Sequence, residues 1–263
     1  MINTLITTVI AFVVLCLFFR LLELTRPRNL RLPLLRAGFR TDLAYWIFTP
    51  FVTRWVTRLA IIAVAIPVAL LAHGRVDAEL IRNGFGPAAQ LPLWLQAAGI
   101  LLLSDLFGYW GHRLFHRPTL WRFHAVHHSS DPLDWLSAAR VHPLNDVIMR
   151  VITTLPVLAL GFAPDAVGGA LPVITLMAIV IHANVDWDWG PFRAIIASPR
   201  FHRWHHTSEA EGRDKNFAGI FPLWDILFGT YHMPRGQAPT RFGVDAPLPE
   251  GFIAQLLYPF KKS

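Results

Sequence analysis

Cysteine occurs once in the 263 residues, at Cys16, so the chain cannot close a disulfide within itself, ligate an iron–sulfur cluster through thiolates or build a cysteine-type zinc site. Charge is scarce as well: Asp, Glu, Lys and Arg make up 16% of the residues, against about 25% in an ordinary soluble domain. No Gly-x-Gly-x-x-Gly fingerprint is present, which removes the dinucleotide-binding fold as a built-in source of electrons. Nor is there a His-Glu-x-x-His protease motif: Arg113 occupies the position after the first histidine of His112-Arg-Leu-Phe-His116. No repeat, low-complexity tract or long polar linker divides residues 1–263, which read as a single domain.

Apolar residues fill the space that charge leaves. They form 54% of the chain, with a positive mean hydropathy, and concentrate in runs over 1–19, 43–72, 91–110, 147–162 and 166–183. Arg54 and Arg58 interrupt the second run, and Gly-Phe-Ala-Pro separates the last two as a hairpin turn. A bilayer core takes about 20 apolar residues per helix, so the expected fold is all-α: a polytopic membrane bundle with about four to five membrane segments. Residues 1–110 supply most of the membrane helices and 147–183 a membrane hairpin. Residues 111–146 and 184–263 form a cap, and 73–90 a loop on the opposite face that carries an isolated His73 with no assigned role.

Arg20, Arg26, Arg28, Arg31, Arg36 and Arg40 follow the first run, and no basic residue precedes it. That bias argues for a retained anchor with its arginine side in the cytoplasm, and tracing the chain through the later runs brings the cap to the same side. The net charge of +7 then reflects arginines that flank apolar runs and face anionic lipid headgroups, with no nucleic-acid partner implied. Residues 251–262, apolar with a lysine pair, suit a short segment on the membrane surface or a frayed tail. High arginine and alanine content with few lysines fits a bacterial inner membrane without excluding other membranes.

Eight of the twelve histidines fall in three clusters: His112-Arg-Leu-Phe-His116, His124-Ala-Val-His127-His128 and His202-Arg-Trp-His205-His206. Positions four apart on a helix share a face, so each cluster aims imidazoles at a common point, and imidazole is the commonest transition-metal side-chain ligand. Eight nitrogens without thiols exceed the four of a structural zinc site and suit two metal ions. A bis-histidine haem would leave six of the eight without a role. A membrane zinc-binding protein or transporter is a reading of a different class, but a transporter would place ligands at mid-membrane, not at helix ends.

The three clusters, with the later stretch Asn216-Phe-Ala-Gly-Ile-Phe-Pro-Leu-Trp-Asp225-Ile-Leu-Phe-Gly-Thr-Tyr231, resemble the fatty acid hydroxylase superfamily that includes sterol desaturases. The likeness covers about half of the chain, from Asp105 to Pro234. It implies an integral-membrane oxidoreductase with two non-haem iron ions that uses dioxygen and two electrons to hydroxylate a lipid C–H bond. Sterol or acyl-chain desaturation and ether-lipid cleavage are alternatives at the same site. By this resemblance His112, His116, His124, His127, His128, His202, His205 and His206 are iron ligands, and His142 and His182 are ligands or groups that orient ligands. Fatty acid 2-hydroxylases carry a further histidine four residues after the position of His182, where this chain has Asp186 as a possible carboxylate partner. With no cofactor fingerprint in the chain, a separate ferredoxin, cytochrome or reductase is expected as electron donor.

Asp105 precedes His112 by seven residues, two helical turns on one face, and a carboxylate in an apolar run calls for a partner. It is expected to orient a ligand imidazole or to pair with an arginine. Asp134, Asn145, Asn184, Asn216 and Asp225 are candidates for similar roles or for capping. Tyr109, Trp110, Trp135, Trp187 and Trp204 are expected either to wall a substrate channel or to anchor at the interface.

Overall fold

A computed structural model describes residues 2–25, 32–33, 35–74, 83–246 and 248–261. Arg26, Arg28, Arg31 and Lys262, and the side chain of His73, lie outside the described residues. Among the described residues the regular structure is helical, with one isolated β-bridge between Thr207 and Phe242.

Helix α1, Ile2–Thr25, has 24 residues and a length of about 36 Å, enough to cross a hydrocarbon core of about 30 Å. It is apolar on every side and buries only Phe19, a surface that lipid can cover and water cannot. The second apolar run folds as α2, Phe39–Phe48, a π-helical turn, Thr49–Thr53, and α3, Arg54–His73. Pro50 sits in the π-turn, where its missing N–H removes one rung of the helical ladder. The third run becomes α4, Leu93–Phe115. It extends past the expected end at 110, so His112 belongs to the last turn of a long helix and not to a separate cap segment. Among the described residues, α1, the stretch Phe39–Leu71 and α4 are the three helices long and apolar enough to cross a membrane.

The expected hairpin forms as α6, Pro143–Ala159, and α7, Pro164–Val180, each 17 residues and about 26 Å long. These two are shorter than the three long helices, too short for full-length spans by the same measure, and form the expected membrane hairpin. Helix α4 packs along both α6 and α7, and α3 along α6. Ile100 meets Val157, Ala166 and Ala170, small side chains that let the axes approach. Phe85 and Gly86 donate to the carbonyl of Gly161 and tie the far loop to the hairpin turn.

Between these helices run the short elements that carry five more of the histidines: α5, Pro118–His128, and α8, Pro199–His205. Both start with proline at the first helical position, where no N–H is needed. Helix α9, Leu223–Leu227, and α10, Phe252–Leu257, complete the described helices. In α10, Phe252 packs on Tyr45 and Phe48 while Ile253 and Leu257 remain exposed, so the tail is docked on α2 and not frayed.

Candidate metal centre

Helical spacing sorts the histidines into two groups. In α5, His124 and His128 lie one turn apart and share a face, while His127 points elsewhere; in α8 and its cap, His202 and His206 share a face and His205 diverges. Tertiary packing then combines the pieces. His112, His116, His124, His128 and His205 bring one ligand nitrogen each within 4.8 Å of one another, and His127, His182, His202 and His206 do the same beside them. The groups adjoin: the rings of His128 and His206 stack at 4.3 Å.

The outer nitrogens determine what the inner ones can do. His112 Nδ1 donates to the carbonyl of Phe217 at 2.8 Å, His127 Nδ1 to that of Arg140 at 3.0 Å, His182 Nδ1 to that of Ala178 at 2.6 Å and His205 Nδ1 to that of Lys215 at 2.8 Å. His124 Nδ1 donates to Asn145 Oδ1 at 2.8 Å, and His116 Nδ1 bonds Asp214 Oδ1 at 2.9 Å. A neutral imidazole with Nδ1 protonated carries a lone pair on Nε2. The Nε2 atoms of His112 and His124 lie 2.9 Å apart, and those of His127 and His182 3.1 Å apart, so lone pair faces lone pair. His116 Nε2 and His205 Nε2 are buried with no hydrogen-bond partner.

Protonation is not an escape from this repulsion. Burial pushes His124, His127, His128, His202, His205 and His206 well below the ordinary imidazole value of 6.5, and their mutual proximity pushes them lower. A cation placed among the lone pairs satisfies all of them at once. The donor set, all nitrogen and borderline in softness, suits iron or zinc, and the outer hydrogen bonds are those that orient metal-bound imidazoles.

The other candidates fall into place by their partners. Asn145 Oδ1 accepts from His124 Nδ1. Asp105 does not reach a ligand: its oxygens accept from the N–H groups of Gly219, Ile220 and Phe221 at 3.0, 2.9 and 2.7 Å. Asp225 accepts from Phe217 N, Ala218 N and Thr230 Oγ1, and Asn216 clamps Phe201 and His232. These three hold the loop that presents the carbonyls of Lys215 and Phe217 to His205 and His112, so they act one step further out than expected. Asp186 pairs with Arg200, not with a ligand. Asn184 is buried.

His142 stands outside both groups. It caps α6, where Nδ1 accepts from Leu144 N, and its Nε2 donates to the carbonyl of Leu256, which leaves no nitrogen for a metal. Of the aromatic candidates, Trp135 stacks on Phe19 in α1, Trp204 packs against His232, Trp187 against Trp189, Tyr109 bonds Thr230, and Trp110 is half-exposed against Phe228. Phe217 packs on His112, His116 and His205, and Trp121, which sequence reasoning passed over, packs on His116, His124 and His128. Trp121 lines a cavity of about 290 Å³ that opens onto His116, His128 and His205, with Arg213, Asp214 and Asp245 at its edge. Asp214 and the carbonyls of Arg140 and Lys215 were missed as well; main-chain groups leave no mark in side-chain patterns.

A family model described as fatty acid hydroxylase matches residues 97–230. The chain belongs to the fatty acid hydroxylase family. The match covers α4 through α9 and therefore every histidine of both groups. Similar members of the family include an ornithine lipid hydroxylase of Rhizobium tropici, 34% identical over 66% of this chain and 53% of that protein. The human alkylglycerol monooxygenase is 34% identical over 48% of the chain and 28% of its own length. A C-4 methylsterol oxidase of Schizosaccharomyces pombe is 32% identical over 56% and 51%. The chain thus spans about half the length of the ornithine lipid hydroxylase and the methylsterol oxidase, and less of the alkylglycerol monooxygenase. No solved structure matches this fatty acid hydroxylase family member.

Proposed function

We propose that this protein is a membrane-bound non-haem di-iron oxygenase that hydroxylates a C–H bond of a lipid. The observation that carries the proposal is the pair of buried Nε2 clusters, in which neighbouring nitrogens lie 2.9 to 3.2 Å apart and lone pairs oppose one another between His112 and His124 and between His127 and His182. His112, His116, His124, His128 and His205 would hold one ion, and His127, His182, His202 and His206 the other. Two irons, when bound, would supply the activation of dioxygen that an unactivated C–H bond requires. The chain's own part is to fix six of the nine imidazoles by their outer nitrogens, keep them neutral by burial, and hold the centre at the ends of membrane helices. A lipid can then stay in the bilayer while its reacting carbon approaches.

The names of the relatives, a lipid hydroxylase, an alkylglycerol monooxygenase and a methylsterol oxidase, support a lipid substrate. In this reading residues 1–263 work as one unit. The cap faces the cytoplasm beside anionic headgroups, and a separate ferredoxin, cytochrome or reductase delivers electrons there. In a bacterial cell the membrane is the inner one.

The test is elemental analysis with Mössbauer spectroscopy on detergent-purified protein, in wild type and in His127→Ala combined with His205→Ala, which removes one ligand from each group. Two irons with a coupled di-ferric signal, lost in the double variant, support the proposal and lead to a search for an oxidised lipid. A single zinc, or no iron after reconstitution under reducing conditions, overturns it.

A further inference from the structure

The N-terminal segment lies outside the residues matched to the family, yet it reaches the metal centre through a buried chain of charge. Arg36 donates through Nη2 to Asp42 Oδ2 at 2.7 Å and through Nε to Asp134 Oδ2 at 2.6 Å. Arg140 donates through Nε to the other oxygen of Asp42 and through Nη2 to the carbonyl of Gly38. All four charged residues are at most 9% exposed, and the two cations balance the two anions. Gly38 has φ of +76°, and a Cβ there would collide with the Arg140 guanidinium, so the turn before α2 is shaped to admit that side chain.

The far end of this chain is a ligand. The carbonyl of Arg140 accepts from His127 Nδ1, and the segment that carries Arg140 is the short 3-10 turn Trp135–Ala139, capped by Asp134 through Leu136 N and Ser137 N. That turn has little regular structure of its own to set its position. It is held from one side by Phe19 of α1, stacked on Trp135, and from the other by the carboxylate of Asp42 on the Arg140 side chain.

We infer that Asp42, with Arg36, is a positioning residue for the metal bound by His127, His182, His202 and His206, acting through Arg140. It sets the carbonyl that orients His127 and so aims the His127 Nε2 at the ion. The other group takes its outer partners from Asn145, Asp214 and the carbonyls of Phe217 and Lys215, none of which touches Asp42. Arg140 also reaches Ser129, next to His128, through Nη1, but only at 3.4 Å, so the effect of Asp42 falls mainly on one of the two metals. This inference rests on the two-metal reading above.

The experiment is a Co²⁺ titration of full-length, metal-stripped protein in detergent, followed by the visible ligand-field bands, for wild type, Asp42→Asn and Asp42→Glu. Wild type is expected to bind two Co²⁺ ions. Asp42→Asn is expected to bind the first as wild type does and the second 10- to 100-fold more weakly, the usual loss for a disturbed outer partner, with Asp42→Glu in between. If Asp42→Asn does not fold, Asp42→Glu alone carries the test. Two wild-type affinities in a folded variant overturn the inference, as does equal weakening of both ions, which would mark Asp42 as a general support of the fold. A wild type that binds fewer than two ions overturns the two-metal reading instead.

Discussion

His127 and His128 are neighbours in the chain and serve different histidine groups: His127 Nε2 lies 3.1 Å from His182 Nε2, and His128 Nε2 lies 3.2 Å from His124 Nε2. Consecutive residues on a helix diverge by about 100°, so one short helix feeds two adjoining sites. Each single alanine variant should therefore lower the metal content from two ions to one, and each should spare a different ion. Elemental analysis gives the stoichiometry. Two distinct residual spectra from His127→Ala and His128→Ala would confirm the division, and identical ones would refute it.

Asn145 and Asp214 each bond the outer nitrogen of a histidine in the five-membered group, but Asn145 is buried and the Asp214 side chain is 63% exposed. Water can replace Asp214 and cannot replace Asn145. Asn145→Ala is expected to weaken the metal of that group by roughly 10- to 100-fold. Asp214→Ala should weaken it by less than about tenfold, because solvent takes over the lost contact. Competitive metal titration against a chelator measures both.

Asp105→Ala removes the acceptor of three N–H groups at once and leaves them in a buried loop. A loss of about 3 kcal/mol in stability is expected, since buried unsatisfied donors each cost on the order of 1–3 kcal/mol and part of the loop can relax toward water. The same variant should loosen His112, whose partner is the carbonyl of Phe217 at the start of that loop. Thermal unfolding in detergent reads the first effect and metal affinity the second.

Acid should release the metals. The clustered imidazoles are held below 6.5 by burial in the folded protein, whereas an unfolded chain protonates them near that value. As pH falls through 6.5 the unfolded state takes up protons that the folded state cannot, so the stability present above 6.5 is progressively lost. Protons reach the Nε2 lone pairs of the folded protein only well below 6.5, so metal leaves with the loss of the fold and not ahead of it. Thermal unfolding of the metal-free protein in detergent should show a lower Tm at pH 5.5 than at pH 7.5; an unchanged Tm would contradict the burial argument.

The chemistry of this protein is written locally, in repeats short enough for one helix to satisfy. The spacings 112/116, 124/128 and 202/206 are one helical turn each, so the sequence determined which histidines point together, and the long apolar runs determined that the helices carrying them cross or line a membrane. What the pattern could not express is which pairs meet. His205 leaves its neighbours to join His112, His116, His124 and His128, and His182 joins His127, His202 and His206 across 20 to 55 intervening positions. His142, the same residue type near the same clusters, turns its two nitrogens to backbone partners instead. The outer shell was still less visible, because carbonyls carry no residue identity and because Asp42 and Asp134 reach their arginines over 98 positions. Ligand type and facing follow from the periodicity of the helix; assignment to one metal or the other follows only from how the helices pack.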